Sequence, residues 1–393
     1  MEIENPNNNH YLFTSESVTE GHPDKICDII SDSILDECLK QDPYSKVAIE
    51  TVTKSNNIIL AGEITTKAKI NYEDIVKTRL GEIGYNSDSL GINSKNVTII
   101  KEINEQSKEI SDAVHDQKKF ENIGVVFGYA TNETKELFPF SHLMALKLSL
   151  KLTEVRKKKE IKNLRPDGKT QVTVEYKEEK GKMIPLKVKT VLISAQHEPD
   201  TDIDNLKEDI KHLVIEKVIP NDKIDKNTII LINPGGDFVL GGPEANAGLT
   251  GRRIIVDTYG GWGSHGGGAF SGKDPTKVHR SGAYAARWIA KSLVEEKLCD
   301  RVLVQLSYSS GETKPLSILV NSYGTVKNNL SDGDLVNIVK DNFDLGLSNI
   351  INELKLREPI YSKTACGGHF GREEKEFLWE KPKKLIIKKC ITN

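Results

Sequence analysis

The spacing of apolar residues along the chain changes between the repeat of a helix and that of a strand. From residue 25 to residue 40, apolar side chains recur at intervals of three and four, which predicts an amphipathic helix. Two strand-like runs follow, at 47–53 and 58–65, and turn-forming residues at 55–57 join them. A further apolar run at 97–100 ends this group. The pattern predicts a strand pair covered by a helix.

Similar groups of elements follow along the rest of the chain. Further strands are predicted at 125–130, 170–176, 186–195, 228–233, 253–258 and 302–308. Further helices are predicted at 143–157, 204–218, 281–298 and 335–354. Strand pairs followed by helices, three times over, predict an α+β fold of three similar domains in a pseudo-threefold arrangement, each a β-sheet covered by helices.

The predicted domain limits follow from these groups. Residues 1–10 are polar and rich in asparagine, which predicts a disordered tail. The N-terminal, central and C-terminal domains are predicted at 11–108, 117–236 and 237–383, with approximate limits and strands that can interleave.

Composition narrows the class of protein. A chain of 393 residues is too long for one core, and its net charge of -2 argues against a broad nucleic-acid surface. The five cysteines are an odd number without a C-x-x-C pair, so neither a disulfide framework nor a structural zinc site is expected. The N-terminus has no apolar signal region, and no apolar run is long enough for a membrane span. We expect a soluble, cytoplasmic protein without a membrane or nucleic-acid partner.

The stretch 260–277 is the most distinctive part of the chain. Seven of its eighteen residues are glycine, and it closes with Lys273 and Lys277. Glycine lets backbone N–H groups approach a ligand, successive N–H groups form a concave anion site, and lysines add charge that holds phosphate. A flexible linker is the alternative, although Gly-Ser linkers do not carry Trp, His, Phe and paired Lys. The stretch therefore predicts a phosphate site.

A second motif, Gly21-His22-Pro23-Asp24-Lys25, stands where the first helix is predicted to begin. Proline suits the first helical turn. The residues around it would lie at the positive end of the helix dipole, which is a natural site for phosphate. Asp24 is also a hard oxygen donor for Mg²⁺. The alternative is that Asp24 is only a first-turn acid favoured by the dipole.

Three shorter patterns are weaker signals. The Pro-Asp-Gly sequence within 165–169 predicts a turn. Arg252 and Arg253 follow glycine-rich sequence just before a predicted strand, where they either bind phosphate or form an ordinary surface pair. Glu50 and Glu63 lie among Ile, Val and Ala in the predicted hairpin, where an acid needs a partner or a ligand.

Longer motifs occur in order along nearly the whole chain. They are FTSESV at 13–18, GHPDK at 21–25, GEITT at 62–66, FGYA at 127–130, GGP at 241–243, DTYGG at 257–261, GGGAFSGKDP at 266–275 and HFGR at 369–372. On these motifs the chain resembles the S-adenosylmethionine synthetases, or methionine adenosyltransferases.

The resemblance implies a reaction between ATP and L-methionine. In that family the thioether sulfur attacks the ribose C5′ and expels the triphosphate, which is then hydrolysed to pyrophosphate and phosphate. The product is S-adenosylmethionine. The resemblance also implies two Mg²⁺ per site, K⁺, and a homodimer with active sites at the subunit interface that often pairs into a tetramer.

Roles of single residues are implied in the same way. Catalytic roles are implied for His22, Lys25, Lys169, Arg252 and Lys273. ATP contacts are implied for His22, Asp167, Gly168, Lys169, Asn246, Arg252, Arg253, Ala269, Lys273 and Lys277. Methionine contacts are implied for Glu63, Gln106, Asn246 and Lys277. Mg²⁺ positions are implied for Asp24 and, in altered form, His279, and K⁺ positions for Glu16 and Glu50.

The chain also departs from the family pattern near the implied site. The segment 120–124 is shorter than the family's Gly-Ala-Gly-Asp-Gln-Gly block, whose aspartate helps to hold substrate. Asn246 and His279 each replace an aspartate, Arg253 replaces a lysine, and Asp237 replaces an arginine. Two alternatives to a competent enzyme stay open. One is an impaired family member acting as a structural or regulatory subunit of an active partner, and the other is a plain nucleotide- or polyphosphate-binding module.

Overall fold

The computed structural model describes residues 9–105 and 123–387. Three sequence predictions fall wholly or partly outside these ranges. They concern residues 1–8 of the predicted tail, the implied methionine contact Gln106, and residues 120–122 of the shortened segment.

Within the described ranges, eleven strands form three sheets. The strands are β1 (His10–Val18), β2 (Lys46–Lys54), β3 (Asn57–Thr65), β4 (Thr98–Asn104), β5 (Gly124–Thr131), β6 (Leu164–Glu179), β7 (Lys182–His197), β8 (Ile229–Ile232), β9 (Gly248–Leu249), β10 (Arg301–Tyr308) and β11 (Ser317–Asn321). The strand orders are β1-β6-β7-β8, β4-β3-β2-β9 and β11-β10-β5. Along β2 and β10 every second side chain is buried, which is the period expected for a half-buried strand.

The three sheets exchange strands in a cycle. β1, at the start of the chain, pairs with β6 in the middle of the chain. β5 pairs with β10, much later in the sequence. β9 in turn returns to pair with β2 of the first hairpin. Each sheet therefore holds a strand from a distant part of the sequence, so separating the sheets would break main-chain hydrogen bonds.

Helices cover one face of each sheet. They are α1 (Pro23–Gln41), α2 (Tyr72–Ile83), α3 (Phe140–Lys157), α4 (Ile203–Ile210), α5 (Gly242–Ala245), α6 (Ile254–Asp257), α7 (Val278–Glu295), α8 (Asp332–Asn342) and α9 (Leu347–Glu353), and α4 continues to residue 218 through a π-helical turn. α1 packs on β2, α3 on β1 and β6, and α7 on β5 and β10. The predicted α+β architecture is confirmed. In the ranges described, no helix is both long and apolar enough to cross a membrane.

Two predicted elements differ from the structure. The strand predicted at 253–258 is wrong, because residues 254–257 form the short helix α6. A short apolar run does not distinguish the two structures by its periodicity. The helix predicted at 335–354 is two helices, α8 and α9. Phe343 has extended backbone after α8 and packs edge-on against Trp288, with ring centroids 4.9 Å apart.

Other elements were not predicted from the sequence. β1, α2 and β11 lie in segments without a clear apolar period, and β1 begins at His10, the last residue of the predicted tail. The turn predicted at 165–169 is wrong as well, because these residues belong to β6. The pairing register of β6 shifts between Leu164 and Gly168, and such an irregularity accommodates Pro166 without its N–H.

Candidate functional site

The N-terminus of α1 is the centre of the candidate site. As predicted, the helix begins at Pro23, and His22 is its N-cap. His22 Nδ1 accepts a hydrogen bond from the Asp24 N–H at 3.1 Å, which satisfies one unpaired donor of the first turn. The other first-turn N–H groups give this end of α1 a partial positive charge.

α1 carries aspartates at four positions spaced by four residues, which places them on one face of the helix. Asp24, Asp28 and Asp32 each accept a hydrogen bond from a backbone N–H of the C-terminal half. The donors are, in that order, Leu249 at 3.1 Å, Gly251 at 2.8 Å and Gly272 at 2.8 Å. Asp36 likewise accepts from Tyr361 and Ser362, both at 2.8 Å. This row holds the glycine-rich segments in place. It was missed from the sequence, although the four-residue spacing was a signal.

Lys25, the third residue of α1, is held by two carboxylates. Its side chain is buried, and its ammonium pairs with Asp28 at 2.8 Å and with Asp257 of α6. Burial alone would lower the pKa of Lys25, but the attraction of Asp257 and Asp28 raises it above the usual range. The two carboxylates neutralise the ammonium, and the implied catalytic role of Lys25 stays a prediction. Lys25 joins α1 to α6.

Arg253 lies against both functional side chains at the start of α1. Its Nε is 2.9 Å from Asp24 Oδ2, and its Nη2 is 3.1 Å from His22 Nε2. Burial, followed by the charge of Arg253, lowers the pKa of His22 to about 3, so the imidazole is neutral at pH 7. Nδ1 faces the helix N–H and Nε2 faces the Arg253 guanidinium, and the tautomer of the imidazole decides which ring nitrogen carries the proton. The guanidinium only donates, so an oxyanion beside it would accept from Arg253.

Lys169 and Arg252 add two further cations at this end of α1. Lys169 on β6 pairs with Glu16 on β1 at 2.7 Å. The Arg252 side chain is 56% exposed, and its Nε is 3.9 Å from Asp24 Oδ1. We call His22, Asp24, Lys169, Arg252 and Arg253 the α1 cluster. Three cations around a neutral imidazole at a helix N-terminus are suited to binding a polyanion.

Asp167 and Gly168 lie at the start of β6, close to the α1 cluster. The Asp167 side chain is buried, and its Oδ2 accepts a hydrogen bond from the Gly242 N–H at 2.8 Å. Burial raises the pKa of Asp167 to about 6, although backbone N–H groups and Arg253 oppose the shift. A buried carboxyl whose pKa is raised toward neutral pH in this way is typical of a functional site.

Replacing Asp167 with asparagine should stabilise the protein at neutral pH. The folded-state pKa of about 6 exceeds that of an unfolded aspartate, so ionisation costs folding free energy as the pH rises from about 4 to 6. The free energy of unfolding of Asp167→Asn should match that of the parent below pH 4 and exceed it by about 1–3 kcal/mol above pH 6. Urea unfolding over this pH range measures the difference. A variant that is less stable than the parent at pH 7.5 would contradict the assigned shift.

The glycine-rich stretch 260–277 is an ordered segment in the structure. Near its start, Trp262 stacks on Phe13 of β1, with ring centroids 4.0 Å apart. Near its end, Lys273 forms an antiparallel bridge with β2. Gly272 has a positive φ of 80°, and a Cβ there would lie 1.9 Å from a backbone oxygen of β2. Glycine is therefore required for this close approach, and the linker alternative is wrong.

Lys273 and Lys277 lie at the end of this stretch, next to the start of α7. Lys277 is the N-cap of α7 and is buried, with its Nζ 3.5 Å from Asp274 Oδ2. Lys273 is half-buried. Burial lowers its pKa, and the attraction of Glu50 opposes this. A partly desolvated ammonium of this kind would be stabilised by a bound anion.

His279 lies in the first turn of α7, beside a small cavity. The cavity has a volume of about 10 Å³, enough for about one water molecule, and His265, Phe127 and Phe270 also line it. Burial, followed by the charge of Lys273, lowers the pKa of His279. The imidazole is therefore neutral at pH 7 and offers a nitrogen rather than an oxygen.

Glu50 and Glu63 point to the open face of the β2–β3 hairpin, away from α1, and both are exposed. The buried residues of both strands point to the other face, so burial does not force a partner on either acid, although Glu50 attracts the Lys273 ammonium. Their exposure leaves both carboxylates accessible to a ligand or to another subunit.

The other predicted positions lie around these groups. Asn246 is exposed directly after α5, and Asp237 is exposed in the preceding loop. Ala269 packs against Gly251, where a Cβ would lie 2.2 Å from the Ala269 Cβ. The structure therefore places one set of predicted residues around the α1 cluster. A second set, Lys273, Lys277, Glu50, Glu63 and His279, lies at the end of the glycine-rich stretch and on the β2–β3 hairpin.

Two of the three carboxylates implied as cation ligands are engaged by basic side chains, whereas Glu50 is exposed. Arg253 lies on Asp24, and Lys169 lies on Glu16. His279 supplies a nitrogen, whereas Mg²⁺ prefers hard oxygen donors. Across residues 9–105 and 123–387, no group of three or more His, Cys, Asp or Glu is placed to hold a metal. The described side chains, as they are arranged, therefore give Mg²⁺ or K⁺ no preformed set of three protein ligands.

Comparison with protein families agrees with the ordered motifs. The model described as "S-adenosylmethionine synthetase, N-terminal domain" matches residues 10–108, the corresponding central-domain model matches 117–238, and the C-terminal-domain model matches 240–381. The three matches follow the order of the family's domains and cover most of the 393 residues. The chain belongs to the S-adenosylmethionine synthetase family.

Proposed function

We propose that this chain makes S-adenosylmethionine from ATP and L-methionine. The thioether sulfur forms a bond to the ribose C5′, the bond from C5′ to the triphosphate oxygen breaks, and the triphosphate leaves with that electron pair. Water then converts the triphosphate to pyrophosphate and phosphate. A neutral thioether needs no general base, so positioning and stabilisation of the leaving group account for the rate.

The α1 cluster is the observation that carries this proposal. Lys169, Arg252 and Arg253 surround the start of α1 and would meet the charge that develops on the triphosphate. His22 directs Nε2 into the same space, where that nitrogen would hydrogen-bond the departing oxygen when it carries the imidazole proton. Asp167 and Gly168 lie beside it for the nucleoside. In this arrangement the triphosphate would lie against the N-terminus of α1, and the C5′–oxygen bond that breaks would lie at that end of the helix.

We further propose that the two sets of residues form one site across a homodimer. The α1 cluster of one subunit would face Lys273, Lys277 and Glu63 of the other, and methionine would bind near the exposed Glu63. The open face of the β2–β3 hairpin supports this, because it carries exposed acids opposite the helix-covered face. Mg²⁺ and K⁺, which this family generally uses, are proposed as cofactors, and tetramers as a higher assembly.

An impaired subunit that binds an active partner is the second candidate function. It is favoured by His279, which puts an imidazole beside an aromatic-lined cavity, and by Arg253, which lies on the Asp24 carboxylate. Both features reduce the oxygen donors available to a hard cation. A plain polyphosphate-binding module would bind the same anion without any dependence on methionine.

Product formation by the purified chain alone distinguishes these candidates. If the chain is an enzyme, it should form S-adenosylmethionine. It should release phosphate and pyrophosphate in equal amounts, and only when methionine is present. If the chain is an impaired subunit, it should form no product alone, and it should change the turnover of an active family member with which it is mixed. The binding module predicts ATP binding that methionine does not change.

Restoring two acids tests whether the altered positions limit turnover. The double variant Asn246→Asp with His279→Asp returns a carboxylate to each position; the first change keeps the side-chain shape, and the second enlarges the small cavity that His279 lines. We expect it to fold like the parent and to form S-adenosylmethionine about ten times faster or more at low Mg²⁺, because a hard oxygen donor replaces an imidazole. Initial rates across Mg²⁺ concentrations, with each single variant as a control, measure the gain. If the parent is already fast and the double variant gains nothing, the impaired-subunit candidate is excluded.

A further inference from the structure

The peptide group between Gly21 and His22 is held at both of its polar ends. Its N–H donates to the Thr19 carbonyl oxygen at 3.1 Å, and its C=O accepts a hydrogen bond from the Tyr85 hydroxyl at 2.6 Å. Gly21 also packs against β6, where a Cβ would lie 2.3 Å from the Pro166 carbonyl oxygen. This peptide directly precedes the N-cap of α1, so holding it sets the direction in which the His22 side chain leaves the backbone.

Tyr85 approaches Gly21 from a backbone that is itself held. It follows Gly84, the C-cap of α2, which has a left-handed φ of 111°, and its side chain is fully buried. The Tyr85 N–H donates to the Leu80 oxygen at 2.9 Å, and its C=O accepts from the Ser94 N–H at 2.8 Å. The phenol hydroxyl therefore has a defined position.

The same hydroxyl lies against the start of α5. Gly242, the first residue of α5, has a φ of 61°, and a Cβ there would lie 2.4 Å from the Tyr85 hydroxyl oxygen. The Gly242 N–H donates to Asp167 at 2.8 Å, and α5 leads directly to Asn246. The phenolic oxygen thus lies between the segment that carries His22 and the segment that binds Asp167.

The chemistry of the phenol makes it a fixed donor. Burial, followed by the charge of Asp167, raises the pKa of Tyr85 well above its usual value, so the hydroxyl keeps its proton at neutral pH. A phenol has a single O–H to donate, and the Gly21 oxygen accepts it. Tyr85 is therefore suited to holding its neighbours in place and not to transferring a proton.

We propose that Tyr85 is a positioning residue for the reaction at C5′. Its hydroxyl holds the Gly21–His22 peptide so that the imidazole faces the departing triphosphate oxygen, and it keeps that peptide at a fixed distance from α5. Tyr85 acts through His22 and touches no substrate. Displacing a reacting group by about 1 Å can lower a rate about a hundredfold, so the loss of one such hydrogen bond is measurable. This inference rests on the proposed function, which places the departing oxygen at His22.

Tyr85→Phe removes only the hydroxyl and is the test variant. Single-turnover formation of S-adenosylmethionine should slow by about tenfold to a hundredfold, while the KM values for ATP and methionine change by about twofold or less. Hydrolysis of added tripolyphosphate, in which no bond to C5′ breaks, should also change by about twofold or less. A general loosening of the site would instead slow both reactions together.

Tyr308→Phe is the matched control. Tyr308 of β10 is equally buried, and its hydroxyl lies 3.5 Å from the Leu345 carbonyl oxygen, after α8. Both variants should lower the melting temperature only slightly, since the net contribution of one hydrogen bond is small. Only Tyr85→Phe should lose turnover. Para-aminophenylalanine at position 85 offers an N–H donor in place of the O–H and should recover most of the rate.

Three results would overturn the inference while leaving the proposed function intact. The first is a Tyr85→Phe protein that forms S-adenosylmethionine as fast as the parent. The second is a Tyr85→Phe protein that does not fold or that slows equally in both reactions, since the hydroxyl then serves the fold alone. The third is a lost rate that para-aminophenylalanine does not recover. A parent chain that forms no S-adenosylmethionine would overturn the proposed function, and this inference with it.

Discussion

Replacing Arg280 with methionine should destabilise the protein by about 3–5 kcal/mol. Arg280 is fully buried, and its guanidinium binds both carboxylate oxygens of Asp32, at 2.7 and 2.9 Å. It also donates to the backbone oxygens of Phe270 and Lys273, at 2.9 and 3.1 Å. Removing it leaves the Asp32 charge buried without its partner and releases the end of the glycine-rich stretch. Urea unfolding of the parent and the variant measures the loss.

Two controls separate this mechanism from a general effect of losing an arginine. Arg79→Met removes a half-exposed arginine paired with Glu82 at 2.6 Å and should change the free energy of unfolding by at most about 1 kcal/mol. The double variant Asp32→Leu with Arg280→Met removes both charges and should be less destabilised than Arg280→Met alone. If Arg280→Met unfolds within 1 kcal/mol of the parent, the buried pair does not hold the stretch in place.

Replacing Lys273 with methionine should lower kcat/KM for ATP by about a hundredfold to a thousandfold without unfolding the protein. Its ammonium is partly desolvated, and burial lowers its pKa against the attraction of the exposed Glu50. A departing triphosphate would supply the missing counter-charge. The fold should persist, because the backbone of Lys273, not its side chain, forms the bridge to β2 and accepts from Arg280.

The same assignment predicts a dependence on pH. Because the pKa of Lys273 lies below that of an ordinary lysine, its charge is lost at a lower pH, and affinity for tripolyphosphate should fall earlier on the alkaline side. The variant Lys273→Arg should retain its affinity for tripolyphosphate to a higher pH than the parent. Lys158→Ala, which removes an exposed lysine paired with Glu154 at the end of α3, is the control and should leave kcat/KM unchanged. Tripolyphosphate affinity in Lys273→Met equal to that of the parent would contradict the assignment.

Much of the fold could be predicted because its helices and strands bury regular patterns. The alternation in β2 and β10 and the proline at the start of α1 gave correct elements. The cyclic exchange of strands could not be predicted, because β9 is only two residues long and β1 pairs far from its own sequence neighbours. Long-range pairing depends on the register of partners that a local pattern does not contain.

The candidate site was predictable in composition but less so in arrangement. Glycine, lysine and arginine motifs marked where phosphate chemistry is concentrated, and His22 and Asp24 lie together at the start of α1. The ion pair of Lys25 could not be foreseen, because its partner Asp257 is far away in sequence. In the folded chain the two side chains form a buried ion pair. Asp28 and Asp32 were missed for the same reason. Their partners lie in loops whose contact with α1 exists only in the folded chain.

The fate of the oxygen that links C5′ to the triphosphate tests the central claim most directly. ATP carrying a heavy oxygen isotope at that bridging position is incubated with the purified chain and L-methionine. The products are then separated, and their masses are measured by mass spectrometry. Attack of sulfur on C5′ predicts S-adenosylmethionine and a label found wholly in the released phosphate and pyrophosphate. A label retained on an adenosine-containing product, or ATP consumed at the same rate without methionine, would contradict the account.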